Sequence, residues 1–357
     1  MQTAYINRVA TAVPPYDIHE PFRRFAQSML HDDRRNSLLF QRMADKCGIE
    51  HRYSHLAPSN LPEGDCVDAE GFYLRGDFPD TTARMLKFEK DAPVLAQKAV
   101  DTLQLGPERD RITHLVVTCC TGFSAPGLDF ELIERCGLPS TVERTMVGFM
   151  GCHAAINALK LARHIVRSEA SARVLVVNLE LCTLHLKDTT DLEQMLLFLL
   201  FGDGCAACVV SSEPAGVALD SFHALLVPGT RELITWSIRD SGFDMTLSGR
   251  VPGAIHDGLQ EHGREVLAGA AATSIDLWAV HPGGRTVLDA VERAFELGPA
   301  ALAASREILR RYGNMSSATV MFVIERLLGS GMRGRTGCAM SFGPGLIAET
   351  LLFHTAP

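Results

Sequence analysis

The chain has 357 residues, 46% of them hydrophobic and 21% charged, which permits a sizeable core and excludes disordered, collagen-like and coiled-coil classes. A net charge of −8 offers no basic footprint for nucleic acid, and the longest apolar run, Met195 to Phe201, is far short of the ~18 residues of a membrane span. No basic head precedes an apolar block at the N-terminus, so a cytoplasmic protein with ten reduced cysteines is expected.

The first 80 residues read as irregular and polar, with helix-like stretches at Phe22–Leu30 and Arg34–Cys47 and a Pro/Gly/Asp-rich segment from Pro58 to Pro79. Lys87–Leu103 has the spacing of an amphipathic helix. Strands and helices then alternate. Strands are expected at Ile112–Thr118, Arg144–Gly148, Arg173–Leu179 and Cys205–Ser211, with helices at Pro126–Gly137, Cys152–Arg167 and Asp191–Leu200. The second half continues with helices at Pro252–Leu267, Arg285–Leu297, Ala301–Tyr312 and Ser316–Leu328. Its strands are Asp276–Val280, Thr336–Phe342 and Leu346–Phe353. Such alternation implies βαβ units and an α/β architecture.

Phe201-Gly-Asp-Gly and Phe342-Gly-Pro-Gly both lead into an apolar strand. This echo suggests two duplicated halves, residues 1–215 and 216–357.

Cys152 follows a short strand and Gly-Phe-Met-Gly, and it opens a helix. There, unpaired N–H groups and the helix dipole should lower its pKa. It reads either as a nucleophile or as a buried structural thiol. His281 ends the apolar strand Asp-Leu-Trp-Ala-Val before Pro-Gly-Gly, at the sheet edge where α/β sites gather. Asn314, in Gly-Asn-Met-Ser-Ser, is either a helix cap or a site amide, and Ser316 or Ser317 offers an alternative cap. Cys205 and Cys208 lie three apart on a strand and so point to opposite faces, which argues against zinc. No G-x-G-x-x-G motif follows a strand, so a dinucleotide site is unsupported.

These segments together resemble the type III polyketide synthases, the chalcone/stilbene-synthase-like branch of the thiolase superfamily. Gly-Phe-Met-Gly-Cys152 resembles the nucleophile segment and Trp-Ala-Val-His281-Pro-Gly-Gly the histidine segment. Gly-Asn314-Met-Ser-Ser-Ala-Thr matches the family asparagine. Phe342–Gly345 resembles the C-terminal glycine loop, with Ser341 in place of its first glycine.

The resemblance implies a thiolase fold of five layers, αβαβα, made from two similar halves, and a homodimer. It implies that Cys152 thiolate, paired with protonated His281, takes an acyl group from acyl-CoA. His281 and Asn314 would then stabilise the enolate of malonyl-CoA as CO2 leaves. No metal or redox cofactor is implied. Arg42 and Lys46 fall on positions that contact CoA phosphates, while the third such position is Leu39. A gatekeeper falls on Leu186, with His185 or Leu184 as alternatives. Cys120, Ala125, Trp236, Met245, Ser316, Gly343, Pro344 and Gly345 are expected at the substrate site, Ala125 where plant members reach across the dimer.

The local sequences look closest to bacterial alkylresorcinol or alkylpyrone synthases, which implies a fatty acyl starter. A ketoacyl synthase III-like enzyme performing one condensation is the alternative within acyltransferases. A cysteine hydrolase or a non-catalytic thiol sensor is the alternative from another class.

Overall fold

The structure, a computed structural model, describes residues 2–329 and 331–356. In chain order the first part comprises β1 (Tyr5–Ala12), β2 (Tyr16–Asp17), α1 (His19–Met29), α2 (Arg34–Lys46), β3 (Tyr53–Ser54) and α3 (Thr81–Thr102). There follow β4 (His114–Cys119), α4 (Leu128–Cys136), β5 (Glu143–Gly148), α5 (Ala154–Ser168), β6 (Val174–Leu181), α6 (Leu192–Phe198) and β7 (Asp203–Ser211). The second part comprises β8 (Val217–Leu226), β9 (Ile234–Arg239), β10 (Gly242–Leu247), α7 (Val251–Val266) and β11 (Leu277–Val280). It ends with α8 (Arg285–Ala294), α9 (Ala303–Tyr312), α10 (Thr319–Leu328), β12 (Thr336–Gly343) and β13 (Ile347–Thr355).

The buried strands predicted from apolar runs are all present. The irregular N-terminus is a misreading, because β1 sits in the middle of the sheet, paired with β7 along its length. Its Asn7 and Arg8 break the apolar alternation, and a bulge between Ile6 and Arg8 absorbs the mismatch. The helix expected from Lys87 begins at Thr81, where the Asp80 carboxylate caps it by accepting from Ala83 N–H at 2.8 Å.

The strand order is β11-β12-β13-β8-β1-β7-β6-β4-β5. It falls into two half-sheets, since β1 and β8 meet only at Tyr5↔Ala218 and Ile6↔Val217. The orders β4-β6-β7-β1 and β11-β12-β13-β8 are the same arrangement, with β5 extra in the first. The two F-G-x-G segments lead into β7 and β13, which are equivalent strands.

One core cluster joins α5 and α10 to both half-sheets, so these helices form the central layer. A second packs α3 and α4 on the outside of the first half-sheet, and a third packs α7 and α8 on the outside of the second. This is the five-layer αβαβα order of the thiolase fold. Cys205 points into the outer cluster and Cys208 into the central one, on opposite faces of β7. Among the described residues no helix is long and apolar enough to cross a membrane.

Candidate active site

Both central helices begin with a tight 3₁₀ turn, Gly151–His153 before α5 and Ser316–Ala318 before α10. Cys152 lies in the first turn and Asn314 two residues before the second. His281 comes one residue after β11. The duplicated scaffold thus brings Cys152 and Asn314 within hydrogen-bond reach, with His281 beside them through Gly283.

Gly151 is required there twice over. Its φ is +78°, and a Cβ would overlap the Pro344 ring of the Phe342–Gly345 loop. That loop is held in turn by Gly345, whose N–H donates to Ile234 O at 2.9 Å and whose carbonyl accepts from Thr230 Oγ1 at 3.2 Å. Asn314 performs both roles read from the sequence. Its Oδ1 accepts from Ser316 N–H at 2.8 Å, as a cap does, and its Nδ2 donates to Gly283 O at 3.3 Å. Gly283 also packs against the His281 ring, with its Cβ position 3.6 Å from Nε2, so the asparagine and histidine share one support.

The electrostatics depart from the helix-terminus expectation. Burial pushes the Cys152 thiol up to about 12, although hydrogen bonds with Ser316 and Asn314 pull it down. Burial likewise holds His281 down to about 3, aided by His153 nearby. Both shifts run against the helix dipole and favour a neutral thiol and a neutral imidazole over an ion pair. The imidazole remains free to accept the thiol proton as the sulfur attacks.

Cys152 opens onto an apolar pocket lined also by Cys120, Thr121, Gly151, Cys182, His185, Leu197, Phe198, Phe201, Ile234, Trp236, Met245, Ser316 and Pro344. The structure thus brings Cys120, Trp236, Met245, Ser316 and Pro344 to Cys152 as expected. Gly343 lies behind, where a Cβ would overlap the His153 ring.

Leu186 does not line the Cys152 pocket itself. It faces an adjoining pocket, and His185 stands in the wall beside Cys152, while Leu184 is buried in the outer core. His185 is fixed in place, with Nε2 on Thr121 O at 2.7 Å, Nδ1 accepting from Phe243 N–H at 3.1 Å, and the Phe243 ring stacked on it. Ala125 also lies elsewhere, in an exposed surface groove with Phe88, Pro93 and Leu128. Arg42 and Lys46 are exposed on α2, one helical turn apart. Arg285 joins them by donating to the Lys46 carbonyl at 3.3 Å.

The adjoining pocket shares Cys182, Phe198 and Phe201 with the Cys152 pocket and is lined further by Ile18, Pro21, Phe22, Leu56 and Val67. Phe201, which separates the two, was visible in the sequence only as the first residue of an echo. Buried Glu180, pushed up to about 7 by burial, was also missed. It accepts from Cys120 N–H at 2.9 Å, Thr121 Oγ1 at 3.0 Å and Ser317 Oγ at 2.6 Å, tying three walls of the site together.

The chalcone and stilbene synthase N-terminal domain model matches residues 8–214, and the C-terminal domain model matches residues 218–357. The chain is 32% identical to bisdemethoxycurcumin synthase of Oryza sativa subsp. japonica, over 98% of this chain and 92% of that protein. It is 36% identical to the alpha-pyrone synthesis polyketide synthase-like Pks18 of Mycobacterium tuberculosis, over 81% of this chain and 77% of the other. Among solved structures, PKS-I from the brown alga Ectocarpus siliculosus is similar with a TM-score of 0.88 and 29% identity, covering 99% of both chains.

Proposed function

The chain belongs to the chalcone and stilbene synthase family and is a type III polyketide synthase, and from this we propose that it extends a fatty acyl starter with malonyl-CoA and cyclises the product to an alkylpyrone or alkylresorcinol. The observation that carries the fatty starter is the second apolar pocket, which lies against the first across a common wall of Cys182, Phe198 and Phe201. An alkyl tail bound there would be removed from water while its carbonyl stays at Cys152. The relative named for alpha-pyrone synthesis supports the product class.

In this reading Cys152 is the nucleophile. His281 takes its proton as sulfur attacks the acyl-CoA carbonyl, and the departing CoA sulfur receives that proton. Malonyl-CoA then binds with its thioester oxygen toward His281 and the Asn314 amide. One Asn314 N–H is held by Gly283, and the amide also bonds the Cys152 sulfur, beside which the thioester oxygen would bind. These donors stabilise the enolate as the carboxylate leaves as CO2. The enolate carbon attacks the acyl carbonyl, forming the carbon–carbon bond and releasing the Cys152 sulfur. Arg42, Lys46 and Arg285 supply positive charge for CoA phosphates at the entrance.

We assign a homodimer to the same proposal. Strand β5 ends the sheet with most of its residues exposed, and an open parallel edge of this kind is a pairing surface. The exposed Met146 lies on β5 itself, and Ala125 and the exposed Phe123 and Met150 lie on the segments that flank it.

The deciding experiment incubates the purified protein with malonyl-CoA and acyl-CoAs of graded length, and reads products by mass. Long-chain starters should give products enlarged by several malonyl-derived units. Turnover of aromatic starters only, or of malonyl-CoA alone, would refute the fatty acyl reading.

A further inference from the structure

The His281 N–H donates to Met340 O at 2.7 Å, which continues the parallel β11–β12 ladder one residue past Val280↔Met340 and sets His281 beside Ser341. Ser341 is in turn the register partner of Glu349 on β13. Alternation along the strands puts all three on the face that carries Ala279, Ala339 and Leu351, the face covered by α5. From α5 the polar stripe His153, Asn157, Lys160 comes down on this row. Asn157 Nδ2 and Lys160 Nζ donate to the two Glu349 oxygens at 2.9 and 2.7 Å. The His153 ring sits against Gly343, two residues along β12 from Ser341.

The row is buried at one end and wet at the other. His281, His153 and Ser341 are buried, whereas the Lys160 side chain is 29% exposed. Among the described residues, both ring nitrogens of His281 and of His153, Ser341 Oγ and Asn157 Oδ1 have no hydrogen-bond partner. Buried polar atoms are ordinarily satisfied by protein or by bound water, so these unpartnered atoms, gathered along neighbouring positions of β11, β12 and α5, call for a role. The groups that face His153 are His281 from β11, Glu349 from β13 and Lys160 from its own helix.

The chemistry creates a need for such a path. Malonyl-CoA enters with a carboxylate and loses it as neutral CO2, so each extension leaves one negative charge on the released Cys152 sulfur. Burial favours the neutral thiol there, so one proton must reach this closed site per extension. We propose that His153 and Ser341 are positioning residues of a proton path running from Lys160 and Glu349 to His281, which returns the proton to Cys152 after each condensation. This rests on the catalytic reading of Cys152 and His281. It also gives a use to Ser341, which stands where the family loop usually has glycine.

The test follows CoA release from the full-length protein with a long-chain acyl-CoA and malonyl-CoA, with thermal melting as the control for folding. His153→Ala should slow extension about tenfold, and added imidazole should restore much of the rate, as expected for a lost proton-transfer group. His153→Phe, which fills the same space without a nitrogen, should be as slow and unresponsive to imidazole. Ser341→Ala should slow extension and change the solvent isotope effect. Wild-type rates in His153→Ala, or a slow His153→Ala that imidazole leaves unchanged, would overturn the path. Absence of any acyl adduct on wild-type Cys152 by mass would instead overturn the catalytic reading, so the two failures are distinct.

Discussion

Trp236 and Met245 face each other as direct register partners across the β9–β10 hairpin, and both line the pocket of Cys152. Trp236 is anchored, because its Nε1 donates to Cys120 O at 2.8 Å and its ring meets His185 edge-on. Met245 is an unbranched chain that yields easily to its surroundings. The wall opposite Cys152 thus has one rigid and one pliable member. Met245→Trp should therefore fill the pocket without breaking a hydrogen bond of the methionine side chain. We expect earlier release, with product masses shifted by at least one malonyl-derived unit, and a melting temperature near that of the wild type.

Leu186 faces the second pocket while its backbone carbonyl accepts from the buried Arg84 guanidinium at 3.0 Å. Leu186→Trp keeps that carbonyl and obstructs the space proposed for the alkyl tail. Turnover of long-chain starters should fall by about tenfold or more, equivalent to at least ~1.4 kcal/mol of lost binding, while short-chain starters are spared. Equal loss for every chain length, in kcat/KM measured across the series, would refute the assignment of the tail to this pocket.

Glu180 has donors on both oxygens, so its replacements should separate by hydrogen-bonding capacity. Glu180→Gln keeps the shape, and the Ser317 hydroxyl can turn to accept from the new amide. Glu180→Leu strands the Cys120 N–H and two hydroxyls in a buried site, at about 1–3 kcal/mol for each unsatisfied group. Chemical denaturation should therefore show a mild change for the amide and a loss of several kcal/mol for the leucine.

Cys152 alkylation should report the neutral resting pair. With the thiol pushed up to about 12, the thiolate fraction rises about tenfold for each unit of increase in pH until that value is reached. The rate with iodoacetamide, read as mass on the Cys152 peptide, should thus climb about tenfold per unit from about pH 6 to about pH 9. A rate already on a plateau near neutrality would indicate a preformed thiolate–imidazolium pair instead.

The strands of the sheet were legible because β4, β6, β7 and β11 are buried on both faces, and burial on both faces writes continuous apolar runs. Strand β1 and the β8, β9 and β10 segment were not anticipated, because their polar and charged residues face outward or absorb a bulge. Cys152, His281 and Asn314 were legible for a different reason. Each sits where a strand or helix ends beside a glycine, and such punctuation survives in one dimension. The walls carry no such mark. His185 and Leu186 differ by one position, yet the 3₁₀ turn Cys182–His185 sends them to separate pockets. The desolvation acting on Cys152 carries no mark either, because a sequence shows the helix terminus but not what surrounds it.

The two half-sheets are joined by a short ladder of two residue pairs at one end, while α5 and α10 lie packed between them. Cys152 belongs to one side of that seam, and His281 and Asn314 to the other. Duplication of the scaffold therefore brought no spare copy of the chemistry. Damage to either half should silence the whole, and a chain cut between Ser211 and Val217 should yield fragments inert apart, with activity returning only when the central layer of helices closes again.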